Sequence, residues 1–174
     1  MPQLRLIGAL LFCLAAALPQ AQAESVSITE LSWTDKQFMA AQLARVDELV
    51  RSEMGAQIHG KPRDIDVLQR VVNRNLVDRN DAQTQQALGL VLGNVIANKT
   101  GMQWVAYKDS NGRSRALCVK DTSDCLFPMT MLARRMAVGL YPDVNKIYQE
   151  AMEMVQPLVN KSPYDVATES EPIN

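Results

Sequence analysis

The sequence predicts an α+β fold: N-terminal helices, a central β-hairpin with a short third strand, and two C-terminal helices. Two observations carry this expectation. Apolar residues recur at helical spacing as far as Ala97, alternate with polar ones from Met102 to Lys120, and return to helical spacing after Phe127-Pro128. Between the two alternating runs stands Asn111-Gly112, a short-range hairpin signal.

The elements follow in order. Met1 to Arg5 is a positive lead, Leu6 to Leu18 an apolar run, and Ala21-Gln22-Ala23 a small-residue cleavage site. That pattern predicts a signal peptide over 1–23, cleaved after Ala23, and hence a periplasmic or secreted protein. The run is shorter than the roughly 20 apolar residues of a membrane span, and Pro19 ends it. Cys13 follows bulky Phe12, which argues against lipidation, so no stable membrane anchor is expected after cleavage. Residues 24–33 read as a polar, extended N-terminal arm.

A single domain is expected over 34–156. Thr34 is the expected N-cap of the first helix, with Gln37 at the capping-box position. Phe38, Leu43, Val46, Leu49 and Val50 share its buried face, and Met54-Gly55 ends it. A loop with the sole histidine, His59, leads to Asp64, the expected cap of a second helix that buries Ile65, Leu68, Val71, Val72 and Leu76. Asp81 caps a third helix, apolar on more than one side and closed by Lys99 and Gly101. After the hairpin, Cys125-Leu126-Phe127 forms the short third strand, stopped by Pro128. A fourth helix begins at Met129 or Thr130 and ends at Gly139, and Pro142-Asp143 opens a fifth. Residues 157–174, with Pro157, Pro163 and Pro172, read as a flexible C-terminal tail.

Composition removes several function classes. The chain carries 18 basic and 19 acidic residues, a formal charge of −1 that becomes about −2 on loss of Arg5. Such a balance does not drive binding to nucleic acid or anionic lipid. Cys118 and Cys125 are the cysteines left after cleavage, and in an exported chain they predict a disulfide contributing about 2–3 kcal/mol. They lack C-x-x-C spacing and a second ligand pair, so neither metal nor redox cofactor is expected.

Gln86-Ala87-Leu88-Gly89, Gly93, Gly101-Met102-Gln103-Trp104-Val105, Asp109, Gly112-Arg113, Phe127-Pro128 and Arg134-Arg135 together resemble a bacterial family known as domain of unknown function 3806. The resemblance spans about Leu68 to Ile147 and implies a helix, hairpin, helix domain with no activity attached. Cys118 and Cys125 depart from that pattern and read as an adaptation to export.

Each candidate site residue has a packing alternative. Gly89 and Gly93, one turn apart, either let the third helix approach the hairpin closely or leave room for a ligand or partner backbone. Trp104 is a core anchor or an aromatic wall. Arg134 and Arg135 cover core with their stems or hold an anion. His59 has no adjacent nucleophile in the sequence to make it a general base. Asp109, Asp121 and Asp124 near the hairpin ends are turn formers, or a carboxylate pair of the glycosidase type built on Asp109 and Asp124. Met129 and Met131, like Met152 and Met154, sit at a spacing that places them on different helix faces, which suits core filling rather than copper. The resulting expectation is a non-catalytic binding module with a protein partner in the cell envelope, of which an inhibitor or immunity-type protein is one form. The alternative is an envelope hydrolase using the hairpin carboxylates.

Overall fold

The structure, a computed structural model, describes residues 26–160. The expected signal peptide and most of the expected tail lie outside them. Five helices and a four-stranded antiparallel sheet make an α+β fold: β1 (Ser27–Glu30), α1 (Trp33–Met54), α2 (Arg63–Asn73), α3 (Ala82–Thr100), β2 (Gln103–Asp109), β3 (Gly112–Cys118), β4 (Cys125–Leu126), α4 (Pro128–Ala137) and α5 (Val144–Val159). The strand order is β1-β2-β3-β4, so the two short strands are the edges.

β1 is the addition to the expected plan. The arm pairs with β2 from Ser27 opposite Lys108 to Glu30 opposite Val105. Four residues show too little alternation to announce a strand, and β2 supplies the template that makes it one.

The starts of α1, α2 and α4 differ from expectation. Ser32, not Thr34, caps α1: its hydroxyl accepts the Asp35 N–H, and Asp35 returns a bond to the Ser32 N–H, both at 3.1 Å. α2 begins at Arg63, with Pro62 at the cap position. Asp64 instead accepts the N–H groups of His59 (2.9 Å) and Lys61 (3.1 Å), bracing the preceding loop. That helix ends at Asn73, so Leu76 lies beyond it. Asp81 and Asp143 cap α3 and α5 as expected, and Gly55 and Gly101 end α1 and α3 in the left-handed conformation. Pro128 opens α4 at the first turn, where its missing N–H costs nothing. α5 continues through Pro157 to Val159, past the expected domain end at 156.

The core sits where α3 meets the other elements. Leu88, Leu90, Val91, Leu92, Val95 and Ile96 are buried around its circumference. Gly89 and Gly93 explain how it is approached so closely. A Cβ on Gly89 would lie 2.4 Å from the Pro128 carbonyl oxygen, and one on Gly93 would lie 2.4 Å from the Trp104 ring. The first glycine therefore admits the backbone of α4, and the second admits the hairpin. Register places Trp104, Ala106, Leu117 and Arg115 on the sheet face toward the helices. Val105, Tyr107, Ala116 and Cys118 are on the other, where Tyr107 meets Phe127 edge-on at 5.1 Å. Cys118 and Cys125, opposite each other in β3 and β4, form the disulfide.

Candidate functional site

The sequence-derived candidates scatter. Trp104 is half-buried against Gly93, and its indole N–H donates to Asn94 Oδ1 at 2.8 Å, the role of a core anchor. Asp109 sits at the β2–β3 turn, accepting the Asn111 N–H at 2.8 Å, whereas Asp121 and Asp124 belong to the β3–β4 turn. Those turns close opposite ends of β3, about 20 Å apart at the usual rise per residue. A glycosidase pair needs roughly 5–9.5 Å, so Asp109 and Asp124 are not brought together. His59 is exposed, and its backbone N–H serves Asp64. Met129 is buried with Met39 and Leu90, whereas Met154 is exposed. Among the described residues no group of three or more His, Cys, Asp or Glu is placed to hold a metal ion.

One polar cluster was not anticipated. Asp35 is 2 % exposed, accepts from Arg113 Nη1 at 2.9 Å and from Ser32, and forms an ion pair with Arg115 Nη2 at 2.9 Å. Arg115 also lies over the Phe38 ring, 4.0 Å from its centroid. The Arg113 hydrogen bond, helped by Ser32 and opposed by burial, holds the Asp35 carboxyl far below the ordinary carboxylate range. Asp35 in turn raises the Arg113 guanidinium. Asp35 is shared by two arginines of β3, so the cluster locks the start of α1 onto the hairpin.

The α4–α5 connection borders an open cleft. After α4, Gly139 turns the chain and the Leu140 N–H returns to the Arg135 carbonyl at 3.0 Å. Val138, Leu140 and Tyr141 follow in one short loop and are 68 %, 59 % and 64 % exposed. The other large exposed apolar residues among those described, such as Trp33 and Met154, belong to other elements. Single exposed apolar residues are ordinary, but three in one loop call for a reason. Leu140 and Tyr141 face a cleft of about 280 Å³ whose apolar floor is Val72, Val77 and Met136. Its far wall is the α2–α3 loop with Asn75 and Arg79.

That wall is held from beneath. Gln85, fully buried at the start of α3, donates through Nε2 to the carbonyls of Asp78 (2.9 Å) and Arg79 (3.0 Å). Asn75 adopts φ 52°, a left-handed conformation that asparagine tolerates, so the chain turns sharply after α2. Arg79 and Asp78 line the cleft and are exposed; Arg134 and Arg135 are exposed on α4, where Arg135 Nη1 donates to the Met131 carbonyl at 2.6 Å. Of the candidate residues, Arg134 and Arg135 thus come nearest to a surface feature. Gly139-Leu140-Tyr141-Pro142 was the overlooked signal: apolar residues bracketed by turn formers, with no helical or strand period to bury them.

The architecture is that of a small α+β domain in which two leading helices, a hairpin and two closing helices surround buried α3. Residues 64–148 match the family described as Domain of unknown function (DUF3806), so the chain carries that domain from α2 into α5. In fold it is similar to a crystal structure from Bacteroides thetaiotaomicron VPI-5482 at 1.50 Å resolution, with a TM-score of 0.68 and 16 % sequence identity. The likeness covers 78 % of this chain and 50 % of that one, so this chain spans about half of that protein. No curated protein matches this chain.

Proposed function

We propose that this chain is a non-catalytic protein-binding module of the cell envelope that engages its partner through the 138–141 loop and the adjoining cleft. The observation that carries the reading is the exposure of Val138, Leu140 and Tyr141 in one short loop, the last two lining a cleft floored by Val72, Val77 and Met136. Interface centres favour aromatic and arginine side chains around apolar pockets, which is this composition. The leader pattern of residues 1–23 and the Cys118–Cys125 disulfide support placement in an oxidising compartment. An inhibitor or immunity-type protein is one form of this reading, with an envelope enzyme as the partner.

The test is site-specific photo-crosslinking in cells, with the reactive group at Tyr141 and a control at Lys120 on the β3–β4 turn. The expected result is a discrete protein adduct from position 141, absent from position 120 and lost when Leu140→Ser is added. No adduct at 141, or the same adducts from both positions, would overturn the reading.

A further inference from the structure

The cleft and its loop form a surface that fits itself. We infer that the partner seated here is a second copy of this chain, the two 138–141 loops packing about a twofold axis so that Arg79 of each copy meets Asp78 of the other. This rests on the binding-module reading and goes further by naming the partner.

Three observations carry it. The first is shape. Val138, Leu140 and Tyr141 stand exposed on the loop that borders the cleft, so one patch offers both apolar side chains and an apolar recess. A patch with both halves of a fit can be covered by its own twofold copy, the commonest symmetry of soluble assemblies. The cleft, at about 280 Å³, is smaller than the roughly 300–1,000 Å³ of small-molecule sites. The second observation is charge. Of the residues lining the cleft, Asp78 and Arg79 are the charged ones, one of each sign. Both are exposed, and neither has an ion pair among the described residues. A segment of either single sign would set a like charge against one of them, whereas a second copy turned about a twofold axis answers both. The formal charge of −1 on the whole chain leaves little repulsion between copies.

The third is preorganisation. The carbonyls of Asp78 and Arg79 both accept from Nε2 of buried Gln85, so the backbone beneath the two charges is set before the copies meet. A loop and the lip of one cleft make a small contact, of the size that holds transient complexes, so the dimer is expected to be weak.

Analytical ultracentrifugation of the full mature protein, from about 10 μM to about 1 mM, is the test. Wild type should pass from monomer toward dimer across that range. Asp78→Arg and Arg79→Asp should each weaken the dimer by about tenfold or more, because each sets like charges across the axis. An equimolar mixture of the two variants should recover the dimer, since every arginine then faces an aspartate. Both residues are exposed, and unchanged thermal melting verifies each fold. Asp78→Lys with Arg79→Glu provides a second pair of chains should either variant melt early. A chain that stays monomeric to about 1 mM, a dimer indifferent to either charge, or a mixture that fails to recover would overturn the second copy. A Tyr141 adduct whose mass is not twice that of the chain would also overturn it, while leaving the binding module standing with another partner. Absence of any Tyr141 adduct, by contrast, would remove the binding module itself.

Discussion

Asp35 illustrates how one residue can serve two elements. It completes the cap of α1 and receives two arginines from β3, at 2 % exposure. Removing one partner of a buried ion cluster leaves charge uncompensated, and the cap is lost as well, so Asp35→Asn is expected to destabilise by about 3 kcal/mol at neutral pH. The pH dependence has a definite sign. The folded carboxyl titrates below its ordinary value of 3.8, so its stabilisation is complete above the carboxylate range and fades as pH falls through and below that value. The gap between wild type and Asp35→Asn, measured by urea unfolding, should therefore narrow on acidification from pH 6 toward pH 2. A residual acid slope should persist in the variant, because Asp47 and Asp81 are also lowered, by the Ile58 N–H and by Thr84 respectively. The two helical glycines make a second test. Alanine gains about 1 kcal/mol of helix propensity, but a Cβ at Gly89 meets the backbone of Pro128 and Met129 within 2.4–2.8 Å. Backbone cannot step aside as a flexible side chain does, so Gly89→Ala should lose about 2 kcal/mol net in thermal or urea unfolding. Gly93→Ala should in addition shift Trp104 emission, because the indole must leave Asn94.

Among the elements, those with a clear period were legible and those fixed by distant partners were not. α3 announced itself by apolar residues around its whole circumference, and the hairpin by alternation about Asn111-Gly112, with Gly112 taking the positive φ of 125°. The sequence pointed to Thr34…Gln37 as the cap of α1, whereas the structure uses Ser32…Asp35. Arg113 and Arg115, nearly 80 residues away, decide for Asp35. β1 was hidden for the same reason, since its partner is β2. The disulfide belongs to this scale too, because it ties the short edge strand β4 to β3 across the 119–124 turn. Replacing both cysteines by alanine should cost about 2–3 kcal/mol by the loop-closure argument. That corresponds to about 5–10 °C in Tm for a domain of this size. Reductant should reproduce the loss in wild type and add nothing in the variant, as read by calorimetry. Hydrogen exchange should quicken first in the 119–124 turn, while α3 continues to exchange only with global unfolding.

At the scale of the whole molecule, the candidate cleft exists because residues 72–79 and 136–141 are brought together by the fold. Arg134 and Arg135 stood out in the sequence, but the side chains that make the surface apolar, Leu140 and Tyr141, stood in a loop with no period to read. The distinction between a binding surface and an incompletely packed core can be measured. If the loop serves recognition, stability should be insensitive to it. Leu140→Ser with Tyr141→Ser changes two exposed residues, each worth within about 0.5 kcal/mol at ordinary surface positions. The double variant should therefore unfold within about 1 kcal/mol of wild type while losing the Tyr141-centred interaction, followed with a crosslinker moved to Arg79 across the cleft. A loss of 3 kcal/mol or more would mean that Leu140 and Tyr141 act as core cover for Val72, Val77 and Met136, and the proposed interface would have to be sought elsewhere. Unchanged stability with an unchanged adduct would overturn the proposed interface, because the apolar loop would then take no part in recognition.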